Sequence, residues 1–241
     1  MRKPKMILFD YGNTLLSEPE FNFLRGETKL AEYITHNKYG LTPKQITEFA
    51  GSVFSEMMCV RQHGFDLHER QFQRFIYEYL GIEFSISLKE AEIIYWRAAS
   101  EGACMPGVEN ILRYINDAGI RSGVISNIGW SGNALTERLN RLLPDNRFEF
   151  VIASSEYMFR KPHRYIFELA LRKAGLDAAD VWFCGDNPQA DVEGAAGVGI
   201  FPIWYENDSN SRSQEIKPNC EHLYITEWSE FLEILEKVQN N

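Results

Sequence analysis

The stretch that decides the fold is Lys5-Met6-Ile7-Leu8-Phe9-Asp10-Tyr11-Gly12-Asn13-Thr14. An apolar run, halted first by an acid and then by Gly and Asn, reads as a short buried strand that enters a turn. In open α/β sheets, ligands bind beyond the carboxyl ends of the strands, so Asp10 sits where a ligand is expected.

Moving outward, the texture changes between about 17 and 103. Apolar residues recur at spacings of three and four: Leu30 and Ile34; Ile46, Phe49, Ala50, Val53, Phe54 and Met57; Phe72, Phe75, Ile76 and Tyr79; Ala91, Ile94, Tyr95 and Ala98. This spacing predicts about four amphipathic helices and almost no strand. Breaks fall at Gly40-Leu-Thr-Pro43, His63-Gly64 and Gly81, with Thr42 as an N-cap and Pro43 in the first helical position.

After Pro106-Gly107 the pattern becomes alternating. A helical stripe (Val108, Ile111, Leu112, Ile115) precedes a strand at 121–125 that ends at Ser126-Asn127. A helix with Ala134, Leu135, Leu139 and Leu142, a strand at 148–153, and a helix beginning near Lys161 follow. A strand at 181–184 ends at Gly185-Asp186, a short helix carries Asp191 to Ala196, and strands at 199–204 and 222–225 lead to a last helix at 228–238. Strands alternating with helices imply right-handed crossovers and a parallel sheet covered on both faces. The simplest organisation is an α/β core of 1–16 plus 104–241, carrying a helical insertion, 17–103, on two short tethers.

Composition excludes several classes. The chain has 241 residues, 44% of them hydrophobic, with 25 Lys+Arg against 34 Asp+Glu and a net charge of −9. That is too apolar for a disordered chain and lacks the bias of collagen or coiled coils. No basic stretch offsets the acidic total, so neither nucleic acid nor an anionic membrane is an expected partner. No apolar run approaches a membrane span, and the N-terminal run is too short for a signal peptide. Cys59, Cys104, Cys184 and Cys220 are scattered without a CxxC, and the five histidines form no HxxxH pair. Four reduced thiols in a cytoplasmic protein, monomeric or homodimeric, are expected. The sequon at Asn207-Asp-Ser209 carries no meaning in that setting.

The polar residues that follow strands directly are Asp10, Ser126, Asn127 and Asp186, with Lys161 after the strand at 148–153. These are the residue types that phosphoryl transfer through an aspartyl intermediate requires. A carboxylate attacking a phosphate dianion meets charge repulsion. A Mg²⁺ held by Asp10 and Asp186 neutralises it, a lysine offsets the remaining charge, and hydroxyl or amide donors hold the phosphate oxygens.

Here the sequence resembles the haloacid dehalogenase (HAD) superfamily. Its strand-Asp-x-Asp-x-Thr motif is similar to Phe9-Asp10-Tyr-Gly-Asn-Thr14, and its strand-Ser/Thr motif to Val124-Ile-Ser126-Asn127. Its Lys-Pro motif is similar to Arg160-Lys161-Pro162, and its Gly-Asp-x(4)-Asp motif to Gly185-Asp186-Asn-Pro-Gln-Ala-Asp191. All four stand in family order. The resemblance implies a HAD-like Rossmannoid core with an inserted all-α cap at 17–103. It implies Asp10 as nucleophile and metal ligand, the backbone carbonyl of Gly12 and Asp186 as further Mg²⁺ ligands, and Ser126 with the backbone at Asn127 on the phosphate. Lys161 would steady nucleophile and phosphate, and Asp191 would support Lys161 or a metal-bound water. The stretch from Gly199 to Asn207 also resembles members that dephosphorylate nucleotides and small sugar phosphates.

One departure stands out: Gly12 replaces the second Asp of the first motif, which in family phosphatases protonates the leaving oxygen and activates water. The implied activity is Mg²⁺-dependent hydrolysis of a small phosphomonoester. The alternatives are a dehalogenase- or phosphonatase-type hydrolase, or a catalytically weak relative that binds a phosphorylated ligand or a partner. Family dehalogenases also lack the second Asp but need no metal, whereas Asp186 and Asp191 are both retained here. Glu18 is a substitute acid from outside the motif. Arg25, Arg61 and Arg97 are candidates to reach a substrate, with solvated surface positions as the simpler reading.

Overall fold

The computed structural model describes residues 2–206 and 217–239. The sequon at 207–209, and with it the last residue of the 199–207 stretch, lies outside them.

Strand β1 (Met6–Phe9) runs into a two-residue strand β2 (Leu16–Ser17) and then into helix α1 (Phe23–Ala31). Strand β3 (Ile34–Asn37), helices α2 (Pro43–Met57), α3 (Cys59–Gln62) and α4 (Glu69–Leu80), strand β4 (Ile82–Phe84) and helix α5 (Leu88–Ala99) complete the inserted block. The chain returns through β5 (Ala103–Cys104) into the alternating region: α6 (Val108–Asp117), β6 (Arg121–Ser126), α7 (Gly132–Leu142), β7 (Phe148–Ala153), α8 (Ser154–Tyr157), α9 (Arg164–Ala174) and β8 (Val181–Gly185). A π-helical turn (Pro188–Glu193) with the short α10 (Gly194–Ala196), then β9 (Phe201–Tyr205), β10 (Leu223–Ile225) and α11 (Trp228–Gln239), close the fold.

Six strands form one parallel sheet in the order β10-β9-β8-β1-β6-β7. β1 lies in the middle, all four of its residues fully buried. Alternation along it serves both faces. Met6 and Leu8 pack with Phe183 and with Ile166, Phe167 and Ala170 of α9. Ile7 and Phe9 face α6 and α11, where Ile111, Trp228 and Phe231 meet them. The sheet expected from the alternating pattern is therefore present.

The inserted block has the expected four main helices, with α3 as a short addition. α2 starts as its sequence dictates: Thr42 and Gln45 form a reciprocal capping box, with Pro43 in the first turn. The all-α expectation needs one amendment. Ile34, grouped with Leu30 by helical spacing, instead belongs to β3, which pairs antiparallel with β4. α1 has already ended at Ala31, and Ile34, Thr35, Ile82 and Phe84 are the β-branched and aromatic residues that suit a ladder. The two tethers also pair with each other, Leu16 opposite Cys104 and Ser17 opposite Ala103. The apolar core does not stop at them, since one cluster joins Ile7 and Phe9 through Leu16 to Trp96, Trp130 and Leu30. The indoles of Trp96 and Trp130 stack at 4.9 Å across this seam.

Candidate active site

Parallel register brings the ends of the central strands level. Phe9 is opposite both Val124 and Cys184, and the Asp10 amide donates to the Cys184 carbonyl at 2.9 Å. Asp10, Ser126 and Asp186 therefore emerge together at the carboxyl edge. The turn after β1 is closed by the amides of Leu15 and Leu16 donating to the Tyr11 carbonyl. Asn13 takes the left-handed conformation there (φ +52°), which Asn tolerates better than most residues. Gly12 has no such duty: its φ is not left-handed, and a Cβ there would meet no atom within 4 Å. The missing carboxylate at position 12 is not a steric necessity.

Asp191 arrives from the turn after β8. The Asn187 side chain accepts from the amides of Gln189 and Ala190, Pro188 follows it, and the Asn187 amide donates to Asp191 Oδ2 at 3.0 Å. A Cβ on Gly185 would lie 2.5 Å from the Asp191 side chain, so only glycine allows this approach.

Lys161 does not start a helix, as the sequence suggested. It sits in the turn ahead of α9, because Pro162 and the His163 N-cap delay helix entry until Arg164. Its ammonium, almost wholly buried, is 2.5 Å from Asp10 Oδ1 and 2.7 Å from Asp191 Oδ1, and donates to the Ile125 carbonyl at 2.8 Å. Asn127 clamps the lysine's backbone from both sides: its Nδ2 donates to the Lys161 carbonyl (2.8 Å) and its Oδ1 accepts from the Lys161 amide (2.7 Å). The amide side chain of Asn127 is thus engaged in positioning, leaving its backbone for a ligand.

Burial pushes the Asp10 carboxyl up to about 6; Lys161 pulls it down and the nearby Asp191 charge pushes it further up. For Lys161, burial opposes the charged form, but Asp10 and Asp191 overcome it and hold the ammonium above its usual range. Carboxylate oxygens of Asp10, Asp186 and Asp191 lie within 4.8 Å of one another. Such a set of hard oxygen donors, with no His or Cys among them, suits a hard divalent cation rather than zinc.

The cleft above these residues encloses about 420 Å³. Ser126, Asn127, Lys161, Gly12 and all three aspartates line it, so the residues of the four motifs are brought together, whereas Arg25, Arg61 and Arg97 do not line it. Glu18 also lines it, receiving the Tyr11 hydroxyl (2.8 Å) and the Trp96 indole N–H (3.2 Å), with Arg138 at 3.7 Å. Of the block arginines, Arg25 binds the carbonyls of Ala98 and Ala99 and Arg97 pairs with Glu137, both away from the cleft. Sequence reasoning passed over Arg160, which lines the cleft, and Asp66, which holds it. The only signal for Arg160 was its place beside Lys161.

The family model for haloacid dehalogenase-like hydrolases matches residues 4–199. A glyceraldehyde 3-phosphate phosphatase of Pyrococcus abyssi is 27% identical over 84% of this chain and 81% of its own. A ribulose-1,5-bisphosphate 5-phosphatase of Halopiger xanaduensis is 24% identical over 87% of each. Among solved structures, a HAD phosphatase from Thermococcus onnurineus superposes with a TM-score of 0.63 at 22% identity, covering 98% of both chains. A 2-haloacid dehalogenase from Pseudomonas syringae pv. Tomato gives 0.65 at 21% identity, covering 98% of this chain and 99% of its own. With one phosphatase and one dehalogenase equally close, the shared fold leaves the reaction to be argued from the site.

Proposed function

The chain belongs to the haloacid dehalogenase-like hydrolases, and from that membership we propose that it hydrolyses a small phosphomonoester with Mg²⁺, through a phospho-Asp10 intermediate. The observation that carries this reading is the oxygen cluster of Asp10, Asp186 and Asp191, which a metal-independent dehalogenase does not need. Relatives named as phosphatases of small sugar phosphates support it.

In this reading an Asp10 carboxylate oxygen attacks phosphorus, and the bond to the leaving oxygen breaks. Ser126 and the backbone N–H of Asn127 hold the phosphate oxygens, and the Lys161 ammonium offsets their charge while Asp191 fixes its position. Water then hydrolyses the acyl phosphate and frees Asp10. Mg²⁺, held by Asp10, Asp186 and the Gly12 carbonyl, would neutralise the charge between nucleophile and phosphate and orient the phosphorus. Residues 17–103 act as the cap over the core of 1–16 and 104–241 and keep bulk water from the cleft.

A panel of phosphate esters assayed with and without Mg²⁺ tests the proposal. Turnover that requires Mg²⁺ supports it. Metal-independent release of halide from a 2-haloacid, with no ester turned over, overturns it.

A further inference from the structure

Lys161 and Arg160 are neighbours whose side chains part. Lys161 turns inward to Asp10 and Asp191. Arg160 also lines the cleft, but reaches toward the helical block, where its Nη1 lies 2.6 Å from Asp66 Oδ2. Asp66 is wholly buried at its side chain and saturated. Oδ2 also accepts from Ser154 Oγ, while Oδ1 accepts from Arg61 Nε at 3.1 Å and from the Leu67 amide at 3.0 Å. Main-chain bonds fix the same junction: the Asp66 amide donates to the Met158 carbonyl, and the Arg160 amide to the Gly64 carbonyl.

Two guanidiniums share the Asp66 carboxylate, and the second acid near this pair, Glu69, lies by Arg61 rather than Arg160, so the positive charge left over sits on Arg160. Among the described residues, the Arg160 guanidinium hydrogen-bonds through Nη1 alone, which leaves Nε and Nη2 as donors for a ligand. Its side chain is only 20% exposed, so an anion there meets a largely desolvated, preoriented fork, the arrangement that binds carboxylate and phosphate most strongly. The position matters too. In the proposed reaction Lys161 and the aspartates serve the phosphoryl group at the strand ends, whereas Arg160 lines the same cleft from the side bonded to the block, the side this inference assigns to the leaving group. A neutral leaving group offers it nothing.

We propose that Arg160, backed by Arg61 through Asp66, forms a second anion subsite, and that the substrates are small phosphomonoesters whose leaving group carries its own carboxylate or second phosphate. This rests on the phosphatase reading of the same cleft. Asp66 is a positioning residue, which aims the fork without touching substrate.

Calorimetry on the Mg²⁺-loaded protein with three matched probes tests it: propylphosphonate, 3-phosphonopropionate and propane-1,3-diphosphonate. One charge-assisted contact corresponds to about 10- to 100-fold in affinity, so at least one two-headed probe should bind that much more tightly than propylphosphonate. Which one gains tells carboxylate from phosphate. Arg160→Ala should bring the ratio to near one, Arg160→Lys should keep part of it, and Asp66→Asn should lower it by less than Arg160→Ala does, because the guanidinium charge survives while its aim is loosened. A flat ratio in the wild type or a ratio that survives Arg160→Ala would each overturn the subsite, and an Asp66→Asn ratio equal to that of the wild type would overturn the positioning role of Asp66. A protein that neither binds propylphosphonate nor turns over p-nitrophenyl phosphate fails the phosphatase reading itself. One that does both with a flat ratio fails only this inference.

Discussion

Two groups of buried carboxylates, at the strand ends and inside the helical block, are satisfied in different ways. At the strand ends, Asp10 and Asp191 share one buried ammonium, and Asp186 stands beside them. Inside the helical block, Glu27 is equally deep, yet it receives only the Tyr77 hydroxyl at 3.0 Å, and its Oε1 lacks a partner among the described residues. Acids concentrated around one lysine make a site whose charge is completed by what binds. An acid left with one neutral donor settles its burial by holding its proton. On the proposed function, the difference separates a place built for chemistry from one built for packing.

The sharpest way to break this contrast is to remove acids from the first region. Asp10→Asn should lower turnover about 10⁴-fold or more, as loss of a nucleophile does. Asp186→Asn should abolish Mg²⁺ binding and turnover together. Full Mg²⁺ affinity of Asp186→Asn in calorimetry would remove that residue from the metal site.

Gly12 offers the next test. With no acid at 12, rates should fall steeply as the leaving-group pKa rises, so acyl and aryl phosphates should outpace alkyl esters. Gly12→Asp should then raise alkyl-ester turnover by about 10²–10⁴, since the backbone at 12 has room for a side chain. If Glu18 already supplies the proton, the leaving-group dependence will be shallow and Glu18→Gln will cripple the enzyme instead. A flat profile with an indifferent Glu18→Gln would sink both versions.

How much of this was legible follows from how each feature is encoded. β1 and β8 announce themselves because a buried parallel strand is a run of apolar residues, and Asp10 and Asp186 stand at the ends of those runs; β6, with only Val124 and Ile125 between Gly123 and Ser126, is marked more faintly. Thr42 and Gln45 mark a helix start because capping is local. The seam between block and sheet left no such trace. Asp66 and Arg160 are 94 positions apart, Glu92 and Arg70 meet Ser131 across 39 and 61 positions, and no period links them. Ile34 misled because one apolar residue four after Leu30 fits a helix as well as a strand.

That seam supplies an intermediate case for the comparison. Glu92 is fully buried and saturated, accepting from Arg70 Nη2 (2.8 Å), Ser131 Oγ (2.7 Å) and the Ser131 amide (2.7 Å). Arg70→Met would leave a buried acid short of its countercharge. Because Arg70 is itself about one-third exposed at 32%, the cost should fall at the low end for a broken buried pair, about 3 kcal/mol in denaturant unfolding. A loss below about 1 kcal/mol would mean that Ser131 alone satisfies Glu92.

The smallest effect concerns Glu27. Burial raises its carboxyl from 4.5 to about 7, against the opposing pull of the Tyr77 hydroxyl. The folded state therefore holds the proton over a range where the unfolded chain has released it. Below about pH 4.5 both states are protonated and the contribution is complete. Between about 4.5 and 7 the unfolded state binds fewer protons, so stability falls as pH rises, and above the folded value it levels off. The full gap corresponds to at most about 3 kcal/mol, and relaxation around the ionised acid should bring it nearer 2. Other groups titrate in the same window, so the informative quantity is a difference. Glu27→Gln keeps the shape and can still accept from Tyr77, but has no proton to lose. Its stability relative to wild type should therefore rise by about 2 kcal/mol between pH 5 and 8, about 4–8 °C in Tm for a chain of this size. A difference that stays constant over that range would mean that Glu27 is ionised in the folded block, and the two regions would then handle their buried acids alike.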